Sequence, residues 1–106
     1  MRQRFAPEDV QNVPEESGIY CLFQDHDLVY IGRTAPGNGL RSELQHALRI
    51  AMADDMHASH FTFERSKSPK TRAAEELRGF YETFGRLPLY NRPQSLVLRQ
   101  RAELRR

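Results

Sequence analysis

Two tyrosines in the first third of the chain lie where short strands could present them for chemistry. Tyr20 ends the tripeptide Gly-Ile-Tyr, and Tyr30 begins the tripeptide Tyr-Ile-Gly nine residues further on. Both tripeptides belong to apolar runs, 17–23 and 28–33, which are separated by the polar stretch 24–27. Apolar runs of this length around a short polar turn predict a β-hairpin.

The hairpin register decides which side chains meet. A three-residue turn over 25–27 would place Tyr20 opposite Gly32 and Leu22 opposite Tyr30. Because side chains alternate along strands, the two tyrosines then share one face, with open space beside Tyr20 where Gly32 lacks a side chain. Such a face could be a catalytic surface, or the tyrosines could be ordinary strand aromatics. The other face is expected to form the main core and carries Ile19, Cys21, Phe23, Val29 and Ile31.

Charge is distributed unevenly along the 106 residues. Residues 1–60 contain five Arg and nine Asp or Glu, whereas residues 61–106 contain eleven Lys or Arg and five Glu. Fourteen of the sixteen basic residues are arginine, whose planar guanidinium suits bidentate contacts to phosphate. The basic second half is therefore compatible with binding to nucleic acid, although charge runs are usually solvated faces.

The remaining pattern predicts one small α+β domain. Residues 1–16 form a lead-in with a short helix at 7–12, residues 17–91 form the main unit, and residues 92–106 form a basic helix of the same domain, capped by Ser95. Between them the sequence predicts a helix at 40–53, a strand at 60–65 and a helix at 69–84, which Ser68 and Gly85 would cap. The order β-β-α-β-α-α implies a three-stranded, mostly antiparallel sheet flanked by helices.

Several protein classes are excluded or disfavoured by composition. No apolar run approaches the roughly 20 residues that span a bilayer, and the first residues lack the apolar stretch of a signal peptide. We therefore expect a cytoplasmic protein. Cys21 is the only cysteine, so the chain has no internal disulfide or multi-cysteine zinc site. Its apolar neighbours predict a buried, unreactive thiol.

The two tripeptides and their spacing resemble the GIY-YIG nuclease family. Downstream features follow in the order that the resemblance implies: an arginine-bearing helix, a strand, a glutamate-bearing helix and a Pro-x-x-Asn turn at 88–91. The resemblance covers residues 17–91. It implies a metal-dependent endonuclease that hydrolyses phosphodiester bonds in DNA.

The resemblance also implies roles for the hairpin residues. Tyr20 matches the tyrosine that activates the attacking water, and Tyr30 would be its hydrogen-bond partner or an alternative base. A phenol is a poor base unless its pKa is lowered. Arg33, directly after the second tripeptide, would lie near the phosphate or be a surface charge at the strand end. Gly32 would leave room beside the site.

On the first helix, Arg41 resembles the family arginine that clamps the scissile phosphate. At 100° per residue, Arg41 flanks the apolar face and can reach over the sheet. Many relatives carry another arginine at the position of Glu43. His46 is either a catalytic histidine or a surface histidine, and the spacing of five makes it diverge from Arg41 on an ideal helix.

The resemblance requires a glutamate on the second long helix as the metal ligand, which leaves Glu75 and Glu76. Glu76 lies about 70° from the centre of the apolar stripe, whereas Glu75 lies about 170° away. We therefore predict Glu76 as the ligand of Mg²⁺ or Mn²⁺, because one carboxylate with water and phosphate suits such an ion. Asn91 would contact the active site or cap its turn.

Two other groups of residues have the composition of ligand sites. Asp54, Asp55, His57 and His60 are close in sequence but lack a helical framework, and the loop 37–39 precedes a helix N-terminus without the motif of a nucleotide-binding loop. We interpret both as ordinary structure.

The sequence leaves two functions open. The chain is an endonuclease that acts on DNA, directed by its own preference or by a targeting protein partner. Alternatively, it is a GIY-YIG-fold DNA-binding or interaction module with weak or no activity.

Overall fold

The structure is a computed structural model that describes residues 2–53 and 56–92. The predicted basic helix from Ser95 lies outside the described residues. Within those residues, the architecture is α+β, as expected, with three helices and a short 3₁₀ turn at Leu89–Asn91 around one sheet. No helix among them is both long enough and apolar enough to cross a membrane.

The sheet has four antiparallel strands in the order β1-β4-β2-β3, one more strand than predicted. The strands are β1 (Gln3–Arg4), β2 (Gly18–Gln24), β3 (Asp27–Arg33) and β4 (His60–Arg65). The extra strand, β1, has two residues and pairs with the outer edge of β4. It escaped prediction because two residues are too few to show an alternating pattern.

The helices begin and end close to their predicted limits. They are α1 (Pro7–Val10), α2 (Leu40–Ala53) and α3 (Pro69–Phe84). Gly85 ends α3 in the left-handed conformation with φ of 71°, as its predicted role required. Ser68 occupies the N-cap position of α3, but its side chain makes no capping hydrogen bond.

The β2–β3 hairpin has the predicted register at the tyrosines, but its turn is shorter than predicted and one strand contains a bulge. Tyr20 pairs with Gly32 and Leu22 pairs with Tyr30, but Gln24 pairs with Asp27, so that the turn has two residues rather than three. A β-bulge where Val29 has no partner restores the register. One bulged residue shifts the pairing by one position, just as a longer turn would.

The larger core lies on the face opposite to the one predicted. Tyr20, Leu22 and Tyr30 belong to the main cluster together with Leu40 and Leu44 of α2. Ile19 and Ile31 belong to a smaller cluster with Ala73 of α3. The prediction failed because both faces of the hairpin are apolar, and the bulge turns Val29 towards the α2 side. The sheet is therefore covered by α2 on one face and by α3 on the other.

Candidate functional site

A cavity of about 670 Å³ opens along β3, the edge strand of the sheet. Its walls come from β3, from α2 on one face and from α3 on the other. The residues with polar or reactive side chains that line it are Tyr30, Arg33, Asn38, Ser42, Glu43, His46 and Asn91. The α3 wall is apolar, because Ala73 and Leu77 form it. Of the six residues predicted to be catalytic, three line this cavity.

Those three are Tyr30, Arg33 and His46. They come from two walls of the cavity, since Tyr30 and Arg33 belong to β3 and His46 belongs to α2. Their side chains are a phenol, a guanidinium and an imidazole. Tyr20, Arg41 and Glu76 do not line the cavity. The structure therefore brings half of the predicted catalytic set together.

Tyr20 lies behind Tyr30, away from the opening. The two ring centroids are 6.1 Å apart, and the two side chains share a hydrogen bond. Burial raises the pKa of Tyr20 well above its ordinary value of 10.0, and Tyr30 adds to this effect. A phenol in this environment stays protonated, so Tyr20 is suited to hold Tyr30 in place rather than to act as a base.

Gly32 does not leave a gap beside Tyr20, contrary to prediction. A Cβ atom at Gly32 would collide with the Tyr20 ring, including its Cζ and hydroxyl oxygen. The phenol of Tyr20 therefore lies over the glycine and fills the space. The smallest residue is required at position 32 because the ring approaches the backbone of β3 closely.

The arginine of the cavity is Arg33, whereas Arg41 has a structural role. The Nε atom of Arg41 donates to the backbone carbonyl of Val13 at 2.8 Å, which ties the lead-in to α2. Arg33 is exposed at the end of β3 and lines the opening. The predicted divergence of Arg41 and His46 around α2 is confirmed, because only His46 faces the cavity.

Glu43 lines the cavity, although no catalytic or binding role was predicted for it. Its Oε2 atom accepts hydrogen bonds from the backbone N–H of Ala35 at 2.9 Å and from the side-chain amide of Asn38 at 3.4 Å. Its charge contributes to the raised pKa of Tyr20, which shows that it lies near the tyrosine pair. Its spacing of three residues from His46 could have indicated this position, because residues i and i+3 are neighbours on a helix and His46 was already a candidate.

Glu76 is separated from the tyrosines by the sheet. Its charge affects the pKa of Cys21, whose side chain faces α3 because it alternates with Tyr20 along β2. The carboxylate forms an ion pair of 3.1 Å with Arg72, which also binds Glu64 of β4. The helical periodicity correctly placed Glu76 at the edge of the buried stripe, but that stripe covers the face without the tyrosines.

Cys21 itself agrees with the prediction of an unreactive thiol. It is partly buried against α3, and burial raises its pKa to about 11. Because the thiolate is the reactive form, a cysteine with such a pKa is a poor nucleophile at neutral pH.

Asn91 lines the cavity and supports its edge strand through the side-chain amide. Its Oδ1 atom accepts from the backbone N–H of Ile31 at 2.9 Å, and its Nδ2 donates to the backbone carbonyl of Ile31 at 3.0 Å. The amide thus completes the hydrogen bonds of one residue on the edge strand, as a neighbouring strand would do. It fixes the turn after α3 against the cavity rim.

The N-terminus of α2 does not provide a phosphate site. The Glu15 carboxylate accepts from the backbone N–H and the hydroxyl of Ser42, and the carbonyl of Glu16 accepts from the N–H of Leu40. The Ser42 hydroxyl is the main reason that the pKa of Glu15 is lowered. An anion from the chain itself already occupies the positive end of the helix, so the loop 37–39 is an ordinary turn.

A divalent cation would have few side-chain ligands in this fold. The described residues contain no cluster of three or more His, Cys, Asp or Glu suited to a metal ion. Asp54 and Asp55, from the acidic and histidine-rich stretch, lie outside the described residues. In the cavity, Glu43 is the carboxylate and His46 the imidazole, so any ion there would complete its coordination with water or substrate.

Comparison with known proteins adds no identity. No family model, curated protein or solved structure matches this chain.

Proposed function

We propose that this chain is a metal-dependent endonuclease of the GIY-YIG type that hydrolyses phosphodiester bonds in DNA. The observation that supports the proposal is the lining of one open cavity by Tyr30, Arg33, Glu43 and His46. Together they offer a hydroxyl that can orient water, an anion ligand and two cation ligands. The matching tripeptides of the hairpin, with Tyr20 and Tyr30 on one face, add to this support.

The proposed reaction is attack of water on the scissile phosphate. Tyr30 orients the water through its hydroxyl, and the proton that the water loses passes to solvent through the open cavity. The water oxygen forms a bond to phosphorus while the bond to the leaving oxygen breaks, and that oxygen takes a proton from solvent. Arg33 binds the non-bridging oxygens, where negative charge accumulates.

A divalent cation, Mg²⁺ or Mn²⁺, would polarise the phosphate and lower the pKa of bound water. Glu43 is the cavity carboxylate that fits this ion. Glu76 does not fit, because the sheet separates it from Tyr30 and Arg72 neutralises it.

DNA as the partner fits the shape and charge of this region. The cavity lies along an exposed strand edge rather than in a closed interior, so that a polymer can cross it. The chain continues from Asn91, on the cavity rim, into residues 92–106, which carry five Arg and one Glu. A basic segment attached there would increase the attraction to a phosphate backbone. A targeting protein partner remains part of the proposal for substrate choice.

A second candidate is a DNA-binding or interaction module that has the fold without the activity. Two observations favour it. Arg41, the arginine expected to clamp the phosphate, binds the carbonyl of Val13, and Tyr20 has a pKa well above 10.0. Both residues therefore have structural tasks where an active enzyme of this type was expected to use them.

Cleavage of supercoiled plasmid and branched DNA with Mg²⁺ or Mn²⁺ separates the two candidates. We expect the wild type to cut and Arg33→Ala to cut about 100-fold more slowly, because it loses a cation at the developing charge. The matched control, Arg41→Ala, removes the same side chain outside the cavity, and should cut within about threefold of wild type once its folding is verified by circular dichroism.

The possible outcomes distinguish the candidates. Binding of DNA without cleavage by purified wild type, in either metal ion, would establish the second candidate. Equal loss in Arg33→Ala and Arg41→Ala would show that the cavity is not the reaction site.

A further inference from the structure

The side chains of Glu43 and His46 stand together on the cavity wall formed by α2. They are three residues apart on a regular helix, where Cβ atoms lie about 5–6 Å from one another. Both side chains are partly buried and line the same space. A carboxylate oxygen and an imidazole nitrogen at this spacing can reach a single ion, as Glu-x-x-His pairs do in other helical metal sites.

Glu43 is also available for such an ion in a way that Glu76 is not. In the described part of the chain, the hydrogen bonds to Glu43 come from two neutral donors, and both end on Oε2. Glu76 instead faces the guanidinium of Arg72 at 3.1 Å. A metal cation must compete with any positive charge already bound to the carboxylate. It would therefore bind Glu43 more readily than Glu76.

We propose that Glu43 and His46 form the divalent-cation site of this protein, and that the remaining ligands are water and a substrate phosphate. The inference deepens the proposed function, but it concerns binding alone and does not require cleavage.

The mixed oxygen and nitrogen ligands determine which ion is preferred. Imidazole binds Mn²⁺ more tightly than it binds Mg²⁺, because Mg²⁺ prefers oxygen ligands and retains most of its bound water. The site therefore binds Mn²⁺ more tightly than Mg²⁺, and the preference depends on His46. Arg33, on the β3 wall, opposes a bare cation and attracts phosphate, so binding is weak without an anion and increases when inorganic phosphate is added.

The test is Mn²⁺ binding to the full chain, measured by electron paramagnetic resonance of the unbound ion. We expect Glu43→Gln and His46→Asn each to weaken binding about tenfold or more, as loss of groups that support metal sites does. Glu43→Gln retains an acceptor for the Ala35 amide, so that the loop stays in place. Glu76→Gln and the turn variant His26→Asn are the matched controls and should bind like wild type.

A second measurement locates the ion without any substitution. In nitrogen-15 NMR spectra, substoichiometric Mn²⁺ should broaden the amide signals of Gly32, Arg33 and His46 before that of Glu76. Mg²⁺ added in competition should reverse the broadening only at large excess.

The outcomes are decisive in both directions. Broadening centred on Glu76, loss of binding in Glu76→Gln, or no site-specific broadening would overturn the proposal. Specific Mn²⁺ binding at Glu43 by a protein that cuts no DNA would support this inference and refute the nuclease, so the two failures can be distinguished.

Discussion

Two glutamates on two helices, one on each face of the same sheet, have opposite environments. Glu43 of α2 lines an open cavity beside Tyr30, and its hydrogen-bond donors in the described residues are neutral. Glu76 of α3 lies on the far face, where Arg72 links it to β4 by way of Glu64.

The two regions are also held together by different forces. Buried hydrogen bonds and close ring packing hold the cavity edge, whereas exposed ion pairs hold α3 to β4. Buried groups that lose a partner destabilise a fold strongly, and exposed ion pairs contribute little. The comparison indicates that a carboxylate is a candidate ligand when no positive side chain neutralises its charge. Its position relative to the apolar stripe of its helix does not decide this.

The largest expected effect on stability is at the cavity edge. Asn91→Ala removes both hydrogen bonds to the backbone of Ile31. We expect the free energy of unfolding, measured by urea denaturation, to fall by about 2–4 kcal/mol, because two buried backbone groups lose their partners. Asn12→Ala, which removes an exposed hydrogen bond to the Glu8 carbonyl, is the matched control. Similar midpoints for the two variants would show that the edge strand does not depend on Asn91.

A smaller effect is expected on the ion-paired side. Arg72→Ala removes the contacts to Glu64 and Glu76, which also raise the pKa of Arg72 itself. Because these groups are solvent-exposed, the shift in urea midpoint should be less than about a third of that for Asn91→Ala. It should decrease further in 1 M salt, where charges are screened. A shift as large as that of Asn91→Ala, and independent of salt, would show that the ion pairs of α3 stabilise the fold as strongly as the buried hydrogen bonds of the cavity edge.

The smallest effect concerns pH and the start of α2. The folded pKa of Glu15 is below its ordinary value of 4.5, chiefly because of the Ser42 hydroxyl. The ionised carboxylate therefore stabilises the fold above pH 4.5, and that contribution is lost as the pH falls through the lower, folded value. We expect the difference in urea midpoint between wild type and Glu15→Gln to be present at pH 7 and to decrease as the pH falls below 4.5. A difference that stays constant would assign it to packing.

Local elements were predictable because their signals are local. The limits of α2 and α3 follow from apolar periodicity and from Gly85. The predicted pairing of Tyr20 with Gly32 is correct, but it arises from a two-residue turn and a bulge and not from the three-residue turn that was expected. The strand β1 and the bulge at Val29 were not predictable, since two residues show no period and a bulge compensates for a shorter turn. The strand β1 depends on pairing with β4, which is distant in sequence, whereas the bulge lies within the local hairpin.

The sequence by itself determined the helices and three of the four strands of the described residues, the shared face of the two tyrosines and the divergence of Arg41 from His46. The tertiary structure alone decided which face of the sheet each helix covers, and therefore which glutamate lies near the tyrosines. Helical periodicity fixes the direction of a side chain about its own axis but not the face of the sheet against which that axis packs. For this reason the candidate site contains Arg33 and Glu43 where the motif alone suggested Arg41 and Glu76.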